Sequence, residues 1–190
     1  MYKIVFADFQ SRKDSKTMNP DDKVPGGVYL CQVSETISCG ACCGLYNVAD
    51  LSFEHLNAML RYRTEKFAEV PRTMEAILAF KEHIEEKENQ HRPFSDLHHC
   101  PYIGLIGENF AGVGCLLHPL GLGNKGIDFR GLSYHGGLAC GMYFCPSHRI
   151  LSKPYKELLR SSAYNWYSYG LMIGEANSLL EDKVYSPLFE

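Results

Sequence analysis

The segment Cys39-Gly40-Ala41-Cys42-Cys43-Gly44 places three thiols within five residues and sets glycines among them. No other stretch constrains the chain as much. A thiolate is a soft, charge-bearing metal ligand, and a C-x-x-C turn can aim two sulfurs at one ion. A third cysteine directly after the second rarely reaches the same ion from an extended backbone. Gly40 and Gly44 relax the backbone enough for unusual φ/ψ values. The segment therefore predicts a metal centre nucleated by a loop.

The cysteine count points the same way. Eight cysteines in 190 residues would suggest disulfides in a secreted chain of this size. The N-terminal run Met1-Tyr2-Lys3-Ile4-Val5-Phe6-Ala7-Asp8 is short and soon interrupted by charge, unlike a secretory signal. A cytoplasmic location is the resulting expectation, and in a reducing compartment clustered thiols favour metal binding or redox chemistry over disulfides. A hydrophobic content of 45% and a charged content of 22% are those of a globular protein with a real core. The length fits one domain over residues 1–190. A net charge of -3 implies no polyanion-binding field, so no nucleic-acid partner is expected. No apolar run is long enough to span a bilayer, so no membrane partner is expected either.

Residues 11–27 are rich in breakers (Pro20, Pro25, Gly26 and Gly27 among them) and read as a connector. Val28 to Val33 reads as a strand leading to the cysteine loop. Leu51, Leu56, Met59, Leu60, Arg63 and Phe67 recur near a helical period behind a candidate N-cap, Ser52. Pro71 fits the first turn of a second helix with an apolar face of Met74, Ile77, Leu78 and Ile84; the charged stretch Glu82 to Glu88 fits solvent. Tyr102–Ile106 and Val113–Leu117 read as two short strands turned by Gly107 to Gly112. That hairpin would bring Cys100 and Cys115 together. Glycines from Gly121 to Gly141 predict an irregular loop region. From Ser152 the chain turns helical, with Tyr155, Leu158, Leu159, Ser162, Ala163 and Trp166 on one stripe. Leu171, Ile173, Ala176, Leu179 and Leu180 continue it, with Gly170 and Gly174 weakening the join. The expected architecture is a single α+β domain: helices around a cysteine-rich loop region with a small β-hairpin.

A structural zinc site takes four ligands in a closed tetrahedron. Cys39, Cys42, Cys43, Cys100 and Cys115 supply more than that number, and Cys140 and Cys145 either complete the site or build a second one. Zinc is the expected cofactor, with iron or an iron–sulfur cluster as the alternative, although the spacing matches no ferredoxin pattern. His98 and His99 precede Cys100 directly, and His148 follows Cys145 by three residues, so each is a candidate ligand or supporting donor. His118 and His135 sit in the glycine-rich half, while His55, His83 and His91 lie on or near charged helical segments. Other chemistry is thin. Gly121-Leu122-Gly123-Asn124-Lys125-Gly126 lacks the ending of a phosphate-binding loop. Asp128 and Arg130 suit an ion pair, and the aromatic stripe Tyr164, Trp166, Tyr167 and Tyr169 suits a helix interface.

Cys39-Gly40-Ala41-Cys42-Cys43-Gly44, followed by Leu51-Ser52-Phe53-Glu54, resembles the CxxCxxCC family of zinc- or iron-chelating proteins. Cys100-Pro101-Tyr102-Ile103 is similar to that family's cysteine–proline pair. Gly114-Cys115-Leu116-Leu117-His118-Pro119 is similar to its later glycine–cysteine run. The likeness covers about residues 36–120 and implies metal chelation, with Cys39, Cys42, Cys43, Cys100 and Cys115 at motif positions. Thr36 stands at the family's first cysteine and His118 at its arginine. Thr36 carries no thiol, so Cys31, Cys140 or Cys145 is left to supply the missing ligand. The alternatives to a structural zinc centre are an iron–sulfur redox protein or enzyme, a thiol-redox protein with a labile Cys140–Cys145 disulfide, and a catalytic zinc site with one open position. No substrate is indicated by the residues.

Overall fold

The computed structural model describes residues 19–88 and 92–185, with side chains described through residue 176 of the last helix. Met1 to Asp8, residues 11–18 of the connector, His91, and the side chains of Leu179 and Leu180 lie outside the described residues. Ser52 begins the first helix, as its position predicts. Its hydroxyl oxygen accepts the His55 amide at 3.3 Å, satisfying one of the free amides at a helix start. Helix α1 then runs Phe53–Glu69. Leu56, Met59, Leu60, Arg63, Thr64 and Phe67 form its buried side, the one-faced pattern of an amphipathic helix.

Helix α2, Met74–Lys87, corrects the expectation that Pro71 lies in its first turn. Thr73 is the cap, and its hydroxyl accepts the Ala76 amide at 3.3 Å; Pro71 lies before it. The buried side of α2 is Ile77, Phe80 and Ile84, whereas Met74 and Leu78 are exposed. Phe80 sets this rotation: its ring meets Phe67 edge-on at 5.1 Å and stacks with Tyr102 at 6.0 Å. Such ring pairs add to the area they bury.

The hairpin forms as read. Strand β1, Ile103–Ile106, pairs antiparallel with β2, Gly112–Cys115, in the register Ile103↔Cys115. Helix α1 lies close over β1, and the Thr64 hydroxyl reaches Leu105 O at 2.9 Å. A side chain at Gly104 would run into that hydroxyl and into Leu116, so the close approach requires glycine there.

Val28 to Val33 does not form a strand; its one ladder contact among the described residues is an isolated bridge, Gln32↔Ser38. Side chains take the backbone bonds that a neighbouring strand would have taken. Tyr29 N donates to Asp21 Oδ1 at 2.7 Å, Leu30 N to His148 Nε2 at 3.1 Å, and Tyr169 Oη to Leu30 O at 2.8 Å. Asp21 is itself held by Arg160 through two contacts of 2.9 Å.

Residues 121–135 are irregular, as the glycines predict, but a short helix α3, Gly136–Met142, follows, and α4, Ser147–Ile150, comes after it. The stripe read from Tyr155 to Trp166 divides into two helices, α5, Lys153–Ser161, and α6, Trp166–Tyr185. Leu159 and Trp166 are buried while Tyr155 and Leu158 are exposed. The chain is thus an α+β domain, with helices around cysteine-bearing loops and one two-stranded sheet.

Arg63 ties these parts together. It shares the apolar face of α1 and is fully buried. Its guanidinium donates to both Glu88 carboxylate oxygens, to Cys100 O at 3.0 Å, and to His99 Nε2 at 2.6 Å. Removing one partner of a buried pair leaves the other charge uncompensated. We expect Arg63→Met to cost about 3–5 kcal/mol of stability in urea denaturation; a loss under about 1 kcal/mol, the scale of an exposed pair, would show that the network does not carry the fold.

Candidate metal centre

The cysteine turn is a 3-10 helix, Ala41–Cys43, closed by Gly44 at φ 70°, ψ 22°. Gly44 meets the sequence's demand for an unusual backbone. A methyl group there would overlap the His98 carbonyl, so the left-handed residue also lets the 98–100 segment lie against the turn. Two further bonds fasten that segment. Cys100 N donates to Cys43 O at 2.8 Å, and His99 Nδ1 donates to Gly44 O at 2.8 Å. His99 Nε2 accepts from Arg63, which fixes the neutral tautomer with its proton on Nδ1. Desolvation, with the Arg63 charge adding to it, pushes the His99 imidazole down to about 3. Both ring nitrogens are engaged, so His99 supports the site and is not a free ligand.

All eight cysteines are free thiols and all lie among the described residues. They fall into two neighbourhoods. In the first, Cys31 and Cys39 stand opposite one another beside the Gln32↔Ser38 bridge, with Cys39 N donating to Cys31 O at 2.9 Å. Cys39 packs on the buried cluster of Val28, Leu30, Cys145, Leu159, Tyr169 and Ile173. Cys42, on the same turn, is exposed. His148 lies between Cys145 and Cys31, with Nδ1 3.5 Å from the Cys145 sulfur and Nε2 4.0 Å from the Cys31 sulfur. Since Nε2 accepts the Leu30 amide, the neutral ring carries its proton on Nδ1 and donates it to Cys145.

In the second neighbourhood, Cys43 and Cys115 pack on the cluster that contains Cys100, Tyr102, Leu116 and Leu117. The hairpin does bring Cys100 and Cys115 to one cluster. Cys140, on α3, reaches the same side of the molecule. Its sulfur is 3.1 Å from Ser133 Oγ, next to the turn Arg130–Leu132, whose Leu132 packs on that cluster. Cys140 and Cys145 therefore belong to different neighbourhoods, which removes the basis for a disulfide between them.

The electrostatics follow this division. Burial pushes the Cys31 thiol up to about 11 and Cys39 up to about 12, and each is raised further by Cys145. Cys145 itself is held well below the ordinary thiol range, first by the Cys42 thiol and then, against its burial, by His148, whose Nδ1 is 3.5 Å away. Cys42 is raised by Cys145 and by burial. Burial raises Cys43, whose strongest thiol neighbours are Cys100, Cys115 and Cys140. Cys115 rises to about 12 through burial, with Cys100 and Cys140 beside it.

Among the described residues, no three or more His, Cys, Asp or Glu side chains form a group that could hold a metal ion as it stands. The thiols are gathered without being closed to ligating distance. Of the nearby imidazoles, His99 has both ring nitrogens engaged, while the Nδ1 of His118 accepts the Leu120 amide at 3.1 Å. His98 stacks on Tyr134 at 4.6 Å and on His135 at 4.9 Å. The chain matches no family model, no curated protein and no solved structure. Likeness to the CxxCxxCC family thus rests on the residues quoted for it. No helix among the described residues is long and apolar enough to cross a membrane.

Sequence reasoning gives Cys31 only as a substitute for the ligand missing at Thr36. Its signal is the spacing to Cys39, which places the two thiols across a tight turn, and the arithmetic that a set of seven leaves one thiol unpaired with any site. The raised thiols give the reduced, metal-free chain a pH signature. Groups raised from 9.0 to about 11 or 12 in the folded state hold protons that the unfolded chain has lost, so stability is full below about pH 9 and declines as pH rises toward 12. We expect the melting temperature in reductant and chelator to fall between pH 8.5 and pH 10.5; a melting temperature that rises over this interval would contradict the burial of these thiols.

Proposed function

We propose that this protein is a metal-binding protein whose cysteine thiolates hold zinc. The observation that carries the reading is the convergence of thiols from distant parts of the chain: Cys43 beside Cys100 and Cys115, and Cys39 on the cluster that contains Cys145. A donor set dominated by sulfur suits zinc at a structural site. Likeness to the CxxCxxCC motif supports the same chemistry. The ion's role is to tie the irregular segments around residues 31–44 and 112–145 to the helices, since ligation of residues far apart in sequence is also folding free energy.

Binding replaces thiol protons with the ion. The raised thiols therefore make zinc affinity increase with pH, opposite in sign to the stability of the metal-free chain. A coordinating thiol is deprotonated by the ion whatever its free pKa.

The test is elemental analysis with an absorption spectrum on protein purified anaerobically without added metal. We expect at least one equivalent of zinc and a colourless solution. Less than about a tenth of an equivalent of any transition metal would overturn the reading. A brown solution containing iron, with a visible band lost on reduction, would transfer the thiolates to an iron–sulfur cluster.

A further inference from the structure

We propose that Cys31 and Cys39 form a paired modification site, which a low-molecular-weight disulfide such as oxidised glutathione converts to an internal Cys31–Cys39 disulfide. The inference goes beyond the metal-binding reading and does not depend on it.

Backbone register places the two thiols together. The bridge Gln32↔Ser38 is antiparallel. Its flanking bonds are Cys39 N to Cys31 O at 2.9 Å and Val33 N to Ile37 O at 2.8 Å. Cys31 is therefore directly opposite Cys39, and Val33 directly opposite Ile37. Residues opposed in this way have Cα atoms about 5.5 Å apart, inside the window of about 4.4–6.8 Å that a disulfide spans.

Alternation then fixes the side. Successive residues point to opposite faces, so Cys31, Val33, Ile37 and Cys39 share one face while Gln32 and Ser38 take the other. The packing agrees. Val33, Ile37 and Cys39 all lie on the buried cluster that contains Leu30, Leu159 and Tyr169. The Cys31 sulfur stands 4.0 Å from Nε2 of His148, whose Nδ1 meets Cys145 of that cluster. Ser38 points away, and its hydroxyl donates to Val113 O at 2.6 Å; Gln32 is exposed. Cys42 and Cys43 lie on the following turn, outside the bridge. Among the described residues, Cys39 is thus the one cysteine that backbone register sets against Cys31.

The pair can also be reached and can close. Cys31 and Cys39 are half-buried, and residues 34–36 between them are exposed. The bridge is isolated rather than part of a sheet, so the segments beside it adjust to a sulfur–sulfur bond. In the exchange, one thiol attacks the small disulfide as its thiolate, gives a mixed disulfide and releases one small thiol. The second thiol attacks the mixed disulfide and releases the other. One sulfur–sulfur bond breaks and one forms, and the two hydrogens leave on the two small thiols. The second step is intramolecular, which favours the opposed pair over a thiol held elsewhere. Burial keeps both thiols protonated near neutral pH and slows the attack, so the measurement is made at equilibrium. Once closed, the bond locks the 31–39 turn and withdraws both thiolates from any other chemistry.

The experiment equilibrates the full chain, kept metal-free with chelator, in buffers of reduced and oxidised glutathione. The samples are quenched with acid, alkylated and cleaved after glutamate. Glu35 lies between the two cysteines, so cleavage there leaves Cys31 on the fragment 1–35 and Cys39, Cys42 and Cys43 on the fragment 36–54. We expect these fragments joined, with tandem mass spectrometry placing the bond at Cys39 in about 10-fold or greater excess over bonds from Cys31 to any other cysteine. Cys39→Ser should lower the joined pair by about 10-fold or more, and Cys42→Ser should leave it unchanged. Absence of the joined pair at every glutathione ratio would overturn the inference. So would a bond from Cys31 chiefly to another cysteine, or a joined pair that persists in Cys39→Ser. An equal excess in guanidinium would show that nearness in sequence, and not the register, pairs the thiols, and would overturn it as well. Should a variant fail to fold, the position of the bond in the unaltered chain decides. Metal content enters none of these outcomes, so failure here leaves the metal-binding reading standing.

Discussion

The Cys43 carbonyl accepts the Cys100 amide, and the organisation of the molecule turns on that contact. A single tight turn, closed by a left-handed Gly44, sets Cys43 against the two buried clusters that hold α1, α2 and the hairpin. The same turn receives the 98–100 segment, because Gly44 leaves room for the His98 carbonyl and the Cys43 carbonyl takes the Cys100 amide. Two halves that share little regular structure meet at this point. The sheet has two strands, and the loops are held by individual polar contacts spanning long stretches of sequence.

Those contacts are costly to bury and costly to lose. Arg63 and Lys156 are both buried. Arg63 is satisfied by Glu88, His99 and two backbone carbonyls, Lys156 by the carbonyls of Gly26 and His148 at 2.8 and 3.1 Å. A fully satisfied polar network specifies one arrangement of the loops around it. Its position is informative: Arg63 and His99 grip the Cys100 segment, while Lys156 grips the backbone of His148, three residues beyond Cys145. The polar framework thus holds the sulfurs near their partners, and an ion would complete what the framework approximates.

The parts of this fold that were legible in the sequence are those whose physics is local. Ser52 and the spacing of Leu56, Met59, Leu60, Arg63 and Phe67 specify α1 because capping and periodicity act within a few turns. The hairpin is legible because two apolar runs flank a glycine-bearing turn. The segment Val28 to Val33 was misread because nothing local reveals that its backbone partners are Asp21, His148 and Tyr169. Pro71 was placed in α2 although Thr73 is the better cap, its oxygen accepting an amide that proline leaves unmet. For the thiols, the sequence shows which residues carry sulfur, and the adjacent pair shows that one ion is an awkward fit. The allotment of Cys31, Cys140 and Cys145 is set by long-range packing, by the bridge at Gln32, by α3, and by His148, and is invisible in spacing. Arg63 did carry a signal, a charged residue on an apolar stripe, which marks a buried charge with a partner.

The most direct test of the central claim is X-ray absorption at the metal edge on freshly isolated protein that has seen no added metal. Thiolate ligation predicts sulfur as the only nearest scatterer, about four atoms per zinc at about 2.3 Å. A nearest shell made of nitrogen and oxygen at about 2.0–2.2 Å would contradict it.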